Sequence, residues 1–359
     1  MKSYYFLIKN IGCWWAERQI LNTAKEHLKL GENVYIFTLS NNCFFDIPKG
    51  VTYIPLSHIK NSYLRLFLTP VIVRKLKKYL KKYQLDEWIS FLELPNIIHL
   101  LARRNAKISL RTHISLYDYY YWFLWLKPLF WKIMIKIFYP KAWKIIVNSR
   151  ESKIDLVHFL NISEDKVDVM YNYIDKEEIK LLKNEEIDRD ILDKLKNKRV
   201  FITTGRLVFQ KRHDKIIKAL STIKNEDWIF LIIWTWEKEK ELKELSKKLW
   251  ISDKILFLGK QKNVFKYLNI ADIFLYISDV EWLPNTLLEA RELWLKIITN
   301  DFKSWAREII LWEDTLLLWK TLQYPFYWKY GIIIDNKNCV EQLSNLLGKD
   351  ALIKWLSWK

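Results

Sequence analysis

Short apolar runs alternate with amphipathic helical stretches along the whole chain. The first half has strand-like runs YYFLI, NVYIFTL, WISFL, KISLRT and KIIVNS, with helices predicted at 16–30 and 71–83. The alternation begins again after residue 195, with RVFITT, WIFLII, ILFLG, IFLYIS and KIITN as strands and helices predicted at 212–224, 237–249 and 285–293. Strands that alternate with helices favour a parallel sheet covered by helices. The pattern predicts an α/β protein with two Rossmann-like, doubly wound domains.

The two halves are joined by a polar stretch that contains no long Pro, Gly or Ser tract. A chain of 359 residues is long enough for two domains of ordinary size. We predict an N-terminal domain at 1–175, a linker at 176–195 and a C-terminal domain at 196–345. A C-terminal helix at 346–359 could pack back toward the first domain.

The net charge of +18 predicts a surface that attracts anions such as nucleic acid, anionic lipid headgroups or nucleotide phosphates. A basic nucleic-acid-binding protein is one alternative, but its basic residues would have to form a recognisable binding module. The sequence has none, so we expect no nucleic-acid partner. The N-terminus MKSYYFLIKNIG lacks the sustained apolar run and cleavage site of a signal peptide, which favours a cytoplasmic protein. The three scattered cysteines lack metal-binding spacing, and we expect no metal or other cofactor.

Residues 117–141 are dense in aromatic side chains with lysines between them. Their apolar run is shorter than the roughly 20 residues that a membrane span requires. An interfacial helix fits the pattern, with aromatics in the membrane and lysines on anionic headgroups, and the Lys-rich helix 71–83 would reinforce it. A core helix with solvated lysines is the other interpretation. The interfacial helix predicts peripheral contact with the inner face of the cell membrane through 71–83 and 117–141.

The stretch TTGRLVFQKRH places Gly205, Arg206 and Lys211 after a predicted strand and before a predicted helix. Open α/β sheets bind ligands at this edge, and basic side chains beside a helix N-terminus suit a diphosphate. A basic surface turn is the alternative interpretation.

Two glutamates flank the predicted start of another helix in SDVEWLPNTLLEARELW. Glu289 would lie about one turn inside that helix and Glu281 in the loop before it, so both carboxylates can face one cleft. Such a pair can hold sugar or ribose hydroxyls or share acid and base chemistry. Solvated helix glutamates give the same spacing.

The segments WWAERQ, NSRESKIDLVHFLNISEDKVDVMYNYID, GRLVFQK and EWLPNTLLEA, in this order, resemble the retaining glycosyltransferases of family 4. The resemblance covers nearly the whole chain and implies the GT-B architecture, in which two Rossmann-like domains face a central cleft. It implies transfer of a sugar from a nucleotide-sugar, such as a UDP- or GDP-sugar, to an acceptor hydroxyl with the anomeric configuration kept. The implied acceptor is a glycan or lipid-linked precursor of a cell-envelope polysaccharide. An inactive nucleotide-sugar-binding homologue is a further alternative.

The same resemblance assigns roles to individual residues. It implies that Arg206 and Lys211 neutralise the donor diphosphate, that Glu289 holds the ribose and that Glu281 contacts the donor sugar. His113, in RTHIS, resembles the polar residue near the reacting carbon, although a core or surface histidine fits equally well. The remaining donor-side positions are Gly205, Trp234, Trp236, Trp282, Leu283, Pro284 and Asn285, and the acceptor-side positions are Trp14, Trp15 and Glu17.

Tryptophan stands at several positions where the family pattern has glycine. The chain has 7 glycines and 19 tryptophans, a shortage and an excess of opposite sign. Turns favour glycine because it reaches positive φ freely and lets the backbone approach phosphate closely. We therefore expect that UGA, written as tryptophan, is read as glycine by the source organism, whereas Trp228 is authentic. A naturally Trp-rich enzyme or a decayed copy is the alternative. The positions concerned are Trp14, Trp15, Trp234, Trp236, Trp282 and Trp305, with Trp250, Trp294, Trp312 and Trp319 at predicted helix ends or loops.

Overall fold

The chain folds into two compact units, Met1–Tyr173 (unit 1) and Ile174–Lys359 (unit 2). Each is built on a predominantly parallel sheet, which confirms the predicted pair of Rossmann-like α/β domains. The computed structural model describes the residues 2–12, 15–59, 67–83, 87–102, 107–112, 126–223, 227–281, 284–302, 306–311, 317–318 and 320–348.

Unit 1 contains a seven-stranded sheet in the order β3-β2-β1-β4-β5-β6-β7, and its paired strands are parallel. Its strands are β1 Ser3–Ile8, β2 Asn33–Thr38, β3 Val51–Pro55, β4 Glu87–Phe91, β5 Lys107–Arg111, β6 Lys144–Val147 and β7 Val167–Val169. Its helices are α1 Trp15–Lys29, α2 Thr69–Tyr83, α3 Glu93–Ala102, α4 Leu126–Phe138 and α5 Arg150–Leu160.

Both faces of the unit 1 sheet are covered, as the alternation along β1 requires. Tyr5 and Leu7 join a core with Ile72 of α2 and Ile98 of α3. Phe6 and its neighbour two residues on join a second core with residues of α1 on the opposite face. Helix α3 also packs against both α2 and α4, so these three helices lie side by side.

Unit 2 repeats the same plan with the order β10-β9-β8-β11-β12-β14-β13, in which only the β13–β14 pair is antiparallel among the described pairs. Its strands are β8 Arg199–Thr204, β9 Trp228–Ile233, β10 Ile255–Gly259, β11 Ile273–Tyr276, β12 Lys296–Asn300, β13 Phe326–Tyr327 and β14 Gly331–Ile334. Its helices are α6 Lys176–Leu182, α7 Arg189–Leu195, α8 His213–Leu220, α9 Glu239–Lys248, α10 Phe265–Asn269, α11 Asn285–Glu292, α12 Ala306–Leu311 and α13 Cys339–Leu347. Every residue of β9 is buried, as expected for a central strand.

Several predicted segments differ from the elements that the structure has there. The segment 176–195, predicted as a linker, contains α6 and α7. Helix α8 ends at Leu220, earlier than the predicted 224. Ser221 and Thr222 follow it and donate their hydroxyls to the carbonyls of Lys218 and Ala219, so the turn's carbonyls are satisfied by side chains. Of the predicted C-terminal helix, residues 346–347 form the end of α13, and 349–359 lie outside the described residues.

Candidate functional site

The order of strands places a candidate site in unit 2. Strand β8 pairs with β9 on one side and with β11 on the other, so the strand order reverses between β8 and β11. In open α/β sheets ligands bind beyond the carboxyl ends of the strands at such a reversal. The residues that follow β8 and β11 therefore form the wall of the expected binding crevice.

Gly205 and Arg206 follow β8 at this edge. Gly205 has φ of 135° and donates its N–H to the Ile233 carbonyl of the neighbouring strand over 3.1 Å. Such a φ is open to glycine and strained for a residue with a side chain. Lys211 ends a short 3₁₀ turn, Phe209–Lys211, directly before α8. The predicted basic cluster of Gly205, Arg206 and Lys211 thus lies in one loop at the carboxyl edge.

Lys211 forms an ion pair with Glu281, with 2.6 Å between its Nζ and the Glu281 Oε1. Both side chains are almost buried, at 14% and 9% exposure, so the pair is shielded from bulk water. Ser278 donates its hydroxyl to the same carboxylate oxygen over 2.7 Å. The structure therefore brings together two of the predicted catalytic residues, which are far apart in sequence, and fixes their side chains.

Tyr276 lies beneath this pair and was missed by sequence reasoning. Its hydroxyl contacts the Lys211 Nζ, which also lies 4.9 Å from the centre of the ring. Burial, with a further contribution from the Glu281 charge, raises the pKa of Tyr276 well above its usual value. The phenol therefore stays neutral and acts as a fixed polar support. Its position at the end of the predicted strand IFLYIS did not separate it from a core residue.

The loop around the pair is braced by further contacts. Arg212 forms ion pairs with Asp214 and Asp279, each 3.1 Å long. Burial and the Lys211 charge lower the pKa of His213 to about 3, so this buried imidazole is neutral at physiological pH. These contacts hold the segment before α8 against the loop that follows β11.

Helix α11 begins at Asn285, with Pro284 as its N-cap residue. Glu289 lies one turn into this helix and is 3% exposed. A carboxylate this far from water needs a polar or charged partner to remain ionised. The helix starts just after the loop that carries Glu281, so both predicted glutamates belong to one strand-loop-helix connection at the carboxyl edge.

Unit 1 has a smaller cluster at the equivalent reversal between β1 and β4. Burial raises the pKa of Glu17 in α1, and the charge of Lys9, which follows β1, lowers it only in part. Burial likewise raises the pKa of Glu93, at the start of α3, with the same lysine opposing it. Sequence reasoning identified Glu17 and missed Glu93, which follows β4 after a single residue.

The other predicted site residues divide into two groups. Trp234 directly follows β9, donating its N–H to the Gly259 carbonyl over 2.8 Å, and Trp236 is exposed two residues further on. Trp15 begins α1, but its side chain lies outside the described residues, as do the whole of His113, Trp14, Trp282 and Leu283. Within the described ranges no group of three His, Cys, Asp or Glu side chains is placed to hold a metal ion.

The arrangement in unit 2 can bind a negatively charged ligand and stabilise charge that develops on it. Lys211 and Arg206 supply cations, and the N-termini of α8 and α11 open at the same edge. Glu281 and Glu289 supply acceptors for hydroxyl groups. A ligand that carries both phosphate and sugar groups needs both the cations and the hydroxyl acceptors.

Comparisons with known proteins agree with this chemistry. The family described as Glycosyltransferase Family 4 matches residues 16–178, and the family described as Glycosyl transferases group 1 matches residues 184–321. A Campylobacter jejuni protein is 28% identical over 359 residues, which is 99% of this chain and 92% of that protein. It is named N-acetylgalactosamine-N,N'-diacetylbacillosaminyl-diphospho-undecaprenol 4-alpha-N-acetylgalactosaminyltransferase.

Solved structures share the fold. The apo lipopolysaccharide outer core galactosyltransferase WaaB aligns with a TM-score of 0.71 at 19% identity, over 99% of this chain and 92% of that one. Anabaena HepE in complex with UDP-glucose aligns with a TM-score of 0.70 at 16% identity, over the same shares of the two chains. The two family matches follow one another along the sequence and fall one in each half. The chain therefore belongs to the glycosyltransferases, with a family 4 first part and a group 1 second part.

Proposed function

We propose that the protein transfers a sugar from a nucleotide-sugar to an acceptor hydroxyl with the anomeric configuration kept. The proposal rests mainly on the Lys211–Glu281 pair, which lies with Arg206 at the carboxyl edge of unit 2 where the strand order reverses. HepE, which shares the fold, binds UDP-glucose. A UDP-sugar is therefore the first donor to test, followed by a GDP-sugar.

In this proposal Arg206 and Lys211 contact the donor diphosphate, and Glu281 contacts the sugar. The buried Glu289 accepts hydrogen bonds from the ribose hydroxyls. Lys211 and Glu281 lie 2.6 Å apart, so donor phosphate would compete with the Glu281 carboxylate for the lysine and free a carboxylate oxygen for the sugar. The backbone of Gly205 gives the phosphate close access, since no Cβ stands in the way.

The reaction breaks the bond between the anomeric carbon and the diphosphate oxygen. The acceptor hydroxyl forms a bond to that carbon, and its proton passes to the departing nucleoside diphosphate. Negative charge builds on the diphosphate in the transition state, where cations fixed in advance are most effective. Lys211 and Arg206 supply two cations for this charge, and we propose no metal ion.

For the acceptor we propose a lipid-linked glycan precursor. The Campylobacter jejuni relative aligns over nearly the full length of both chains, and its name specifies a diphospho-undecaprenol acceptor and transfer of N-acetylgalactosamine. We assign the acceptor to unit 1, where Glu17 and Glu93 lie near the carboxyl end of β1 with raised pKa values.

A lipid-linked acceptor favours contact with a membrane surface, which we also propose, on the inner face of the cell membrane. No helix in the described parts of the chain is long and apolar enough to span a bilayer. Helix α4 exposes an apolar row on one side: Leu129, Phe130, Ile133 and Ile137. Helix α2 exposes six basic residues: Arg74, Lys75, Lys77, Lys78, Lys81 and Lys82. Near an anionic surface each basic residue contributes about 1 kcal/mol.

A transfer assay tests the enzymatic proposal. The polypeptide carrying W234G, W236G and W282G is incubated with UDP-N-acetylgalactosamine, UDP-glucose or GDP-mannose and a polyprenyl-diphosphate disaccharide. Nucleoside diphosphate release and the product mass report transfer, and the anomeric NMR coupling reports configuration. We expect transfer with retention from at least one UDP-sugar, and inversion at the anomeric carbon would contradict the proposed stereochemistry.

Substitutions at the candidate site make the assay specific. K211M removes the cation beside Glu281, and we expect a loss of roughly 100-fold to 1000-fold in kcat, as for other transition-state donors. K218M serves as the matched control, since Lys218 is an exposed lysine on the adjoining helix α8. If K211M and K218M transferred sugar at the same rate, the assignment of Lys211 to the donor diphosphate would be wrong.

A further inference from the structure

Three described tryptophans have a backbone conformation that side chains rarely adopt. Their φ angles are 130° at Trp234, 59° at Trp250 and 58° at Trp294. Positive φ brings Cβ too close to the backbone carbonyl, and glycine avoids this because it has no Cβ. Asn and Asp tolerate the region through their short polar side chains, but a bulky aromatic does not. Each of these three tryptophans therefore has a strained backbone.

Two of these three tryptophans follow the C-terminus of a helix and form the same hydrogen-bond pattern there. After α9, Trp250 donates its N–H to the Lys247 carbonyl and Ile251 donates to the Ser246 carbonyl, both over 3.1 Å. This pair of bonds defines the Schellman motif, whose left-handed residue is usually glycine.

The end of α11 repeats the motif. Trp294 donates to the Arg291 carbonyl over 2.9 Å, and Leu295 donates to the Ala290 carbonyl over 3.0 Å. The two helices differ in sequence and burial, yet tryptophan takes the left-handed position in both. The coincidence indicates a shared cause for the residue at these two positions.

The chain itself shows which residue the motif accepts. After α1, Gly31 has φ of 75° and donates to the Leu28 carbonyl over 3.0 Å, while Glu32 donates to the His27 carbonyl over 3.1 Å. The bonds are those of the other two helix ends, with glycine in place of tryptophan. Gly31 is thus an internal reference for positions 250 and 294.

The side chains at these two helix ends offer little packing to offset the backbone strain. Trp250 is 91% exposed and Trp294 is 70% exposed. The Trp294 ring only approaches Tyr330 and Lys329 at the surface, with 5.8 Å between its centre and that of the tyrosine ring. A tryptophan selected for its side chain would be expected to bury more of it.

Trp234 lies at a strand end, and glycine has positive φ at the corresponding ends of the two neighbouring strands. Strands β8, β9 and β10 lie side by side and reach positive φ at Gly205 with 135°, Trp234 with 130° and Gly259 with 67°. The Gly205 N–H bonds to the last carbonyl of β9, and the Trp234 N–H bonds to the Gly259 carbonyl. Trp234 thus stands between two glycines in one continuous edge.

Two other tryptophans fill space in the hydrophobic core. Trp88 is fully buried in β4, with its ring 4.9 Å from that of Tyr5. Trp228 is buried in β9 against Phe201. Glycine at either position would leave a large cavity in the core. The described tryptophans therefore include one group that suits the side chain and another that suits only glycine.

We infer that the protein as its own cells make it has glycine at positions 234, 250 and 294 and tryptophan at positions 88 and 228. One codon, read as glycine in those cells, would account for the first group. The inference rests on backbone conformation and burial alone and is independent of the proposed sugar transfer.

The gene and the native protein both test it. The codons for 234, 250 and 294 are expected to be identical to one another and to differ from those for 88 and 228. A shared codon for all five positions would overturn the inference. Peptide mass spectrometry of protein purified from the native cells then reads the residues directly.

The peptide 225–238 carries its own control, because it contains positions 228, 234 and 236. We expect tryptophan at 228 and the residue mass of glycine at 234. The peptides 249–254 and 292–296 report positions 250 and 294 and are expected to show glycine. Tryptophan at 250 and 294 in the native protein would refute the inference, whatever the enzyme activity proves to be.

Discussion

Replacing Trp250 and Trp294 by glycine is expected to stabilise the polypeptide that is made with tryptophan at these positions. A side chain in the left-handed region costs about 1–2 kcal/mol relative to an ordinary conformation. Relief of this strain is partly offset, by about 0.5–1 kcal/mol, because glycine makes the unfolded chain more flexible and so more costly to order. The net gain is therefore about 0.5–1 kcal/mol for each of W250G and W294G.

The two substituted positions follow different helices, so their effects on the free energy of unfolding should add to about 1–2 kcal/mol. For a domain of this size, about 2–4 °C accompanies each kcal/mol, which predicts a rise in Tm of about 2–8 °C for the double variant. Thermal and urea unfolding are followed by circular dichroism, since fluorescence would change with the loss of the two indoles. The free energy of unfolding in water is compared with that of the unmodified chain.

Two control variants separate backbone strain from the loss of an aromatic surface. G31W places tryptophan at the left-handed position of the same motif after α1, where a Cβ meets nothing within 4 Å. It should lower stability by about the amount that W250G raises it. W143G removes a tryptophan that is 56% exposed but has no positive φ, and it should be neutral or destabilising. Stabilisation by W143G as large as by W250G, or none by W250G and W294G, would refute the reasoning.

Two further predictions concern the membrane surface and the candidate site. I133E with I137E should abolish sedimentation with vesicles that contain anionic lipid, because the exposed row of α4 would no longer enter the interface. L181E, at a 77% exposed leucine of unit 2, is the matched control, and equal losses would contradict the assignment of the surface. Y276F should lower kcat by roughly 10-fold and the free energy of unfolding by about 1–3 kcal/mol, because Lys211 loses a buried hydrogen-bond partner but keeps Glu281. An unchanged kcat would show that Tyr276 does not position Lys211.

Much of the fold could be predicted because its strands are short, apolar and separated by helical periodicity. RVFITT and WIFLII coincide with β8 and β9 residue for residue. The edge strand β3 escaped prediction because Val51–Pro55 is only half-buried and follows a Pro-Lys-Gly turn without an apolar run. β7, Val167–Val169, is three residues long and has a central aspartate, too short for periodicity to show.

The candidate site could be predicted only as far as its residues stand in local motifs. Arg206 and Lys211 were found because they lie between a predicted strand and a predicted helix, and Glu281 because it lies in the loop before another predicted helix. Their pairing depends on β8 and β11 being neighbours in the sheet. Tyr276 could not be distinguished from a core residue, since IFLYIS reads as one buried run. Its polar role comes from the position of its hydroxyl under Lys211, which no spacing along the sequence specifies.

Stability and activity should respond to different tryptophans, because the glycine-like positions lie in two kinds of structure. Positions 250 and 294 close helices, so glycine there should raise Tm and leave the carboxyl edge unchanged. Position 234 directly follows β9, next to the strand end after which Gly205 and Arg206 lie. A tryptophan there strains the backbone and adds bulk at the end of a strand that pairs directly with β8. W234G should therefore change nucleotide-sugar binding, whereas W250G and W294G should change only unfolding. Equal effects of all three on binding would mean that the tryptophans act through global stability, and that the strand end of β9 has no special part in holding the donor.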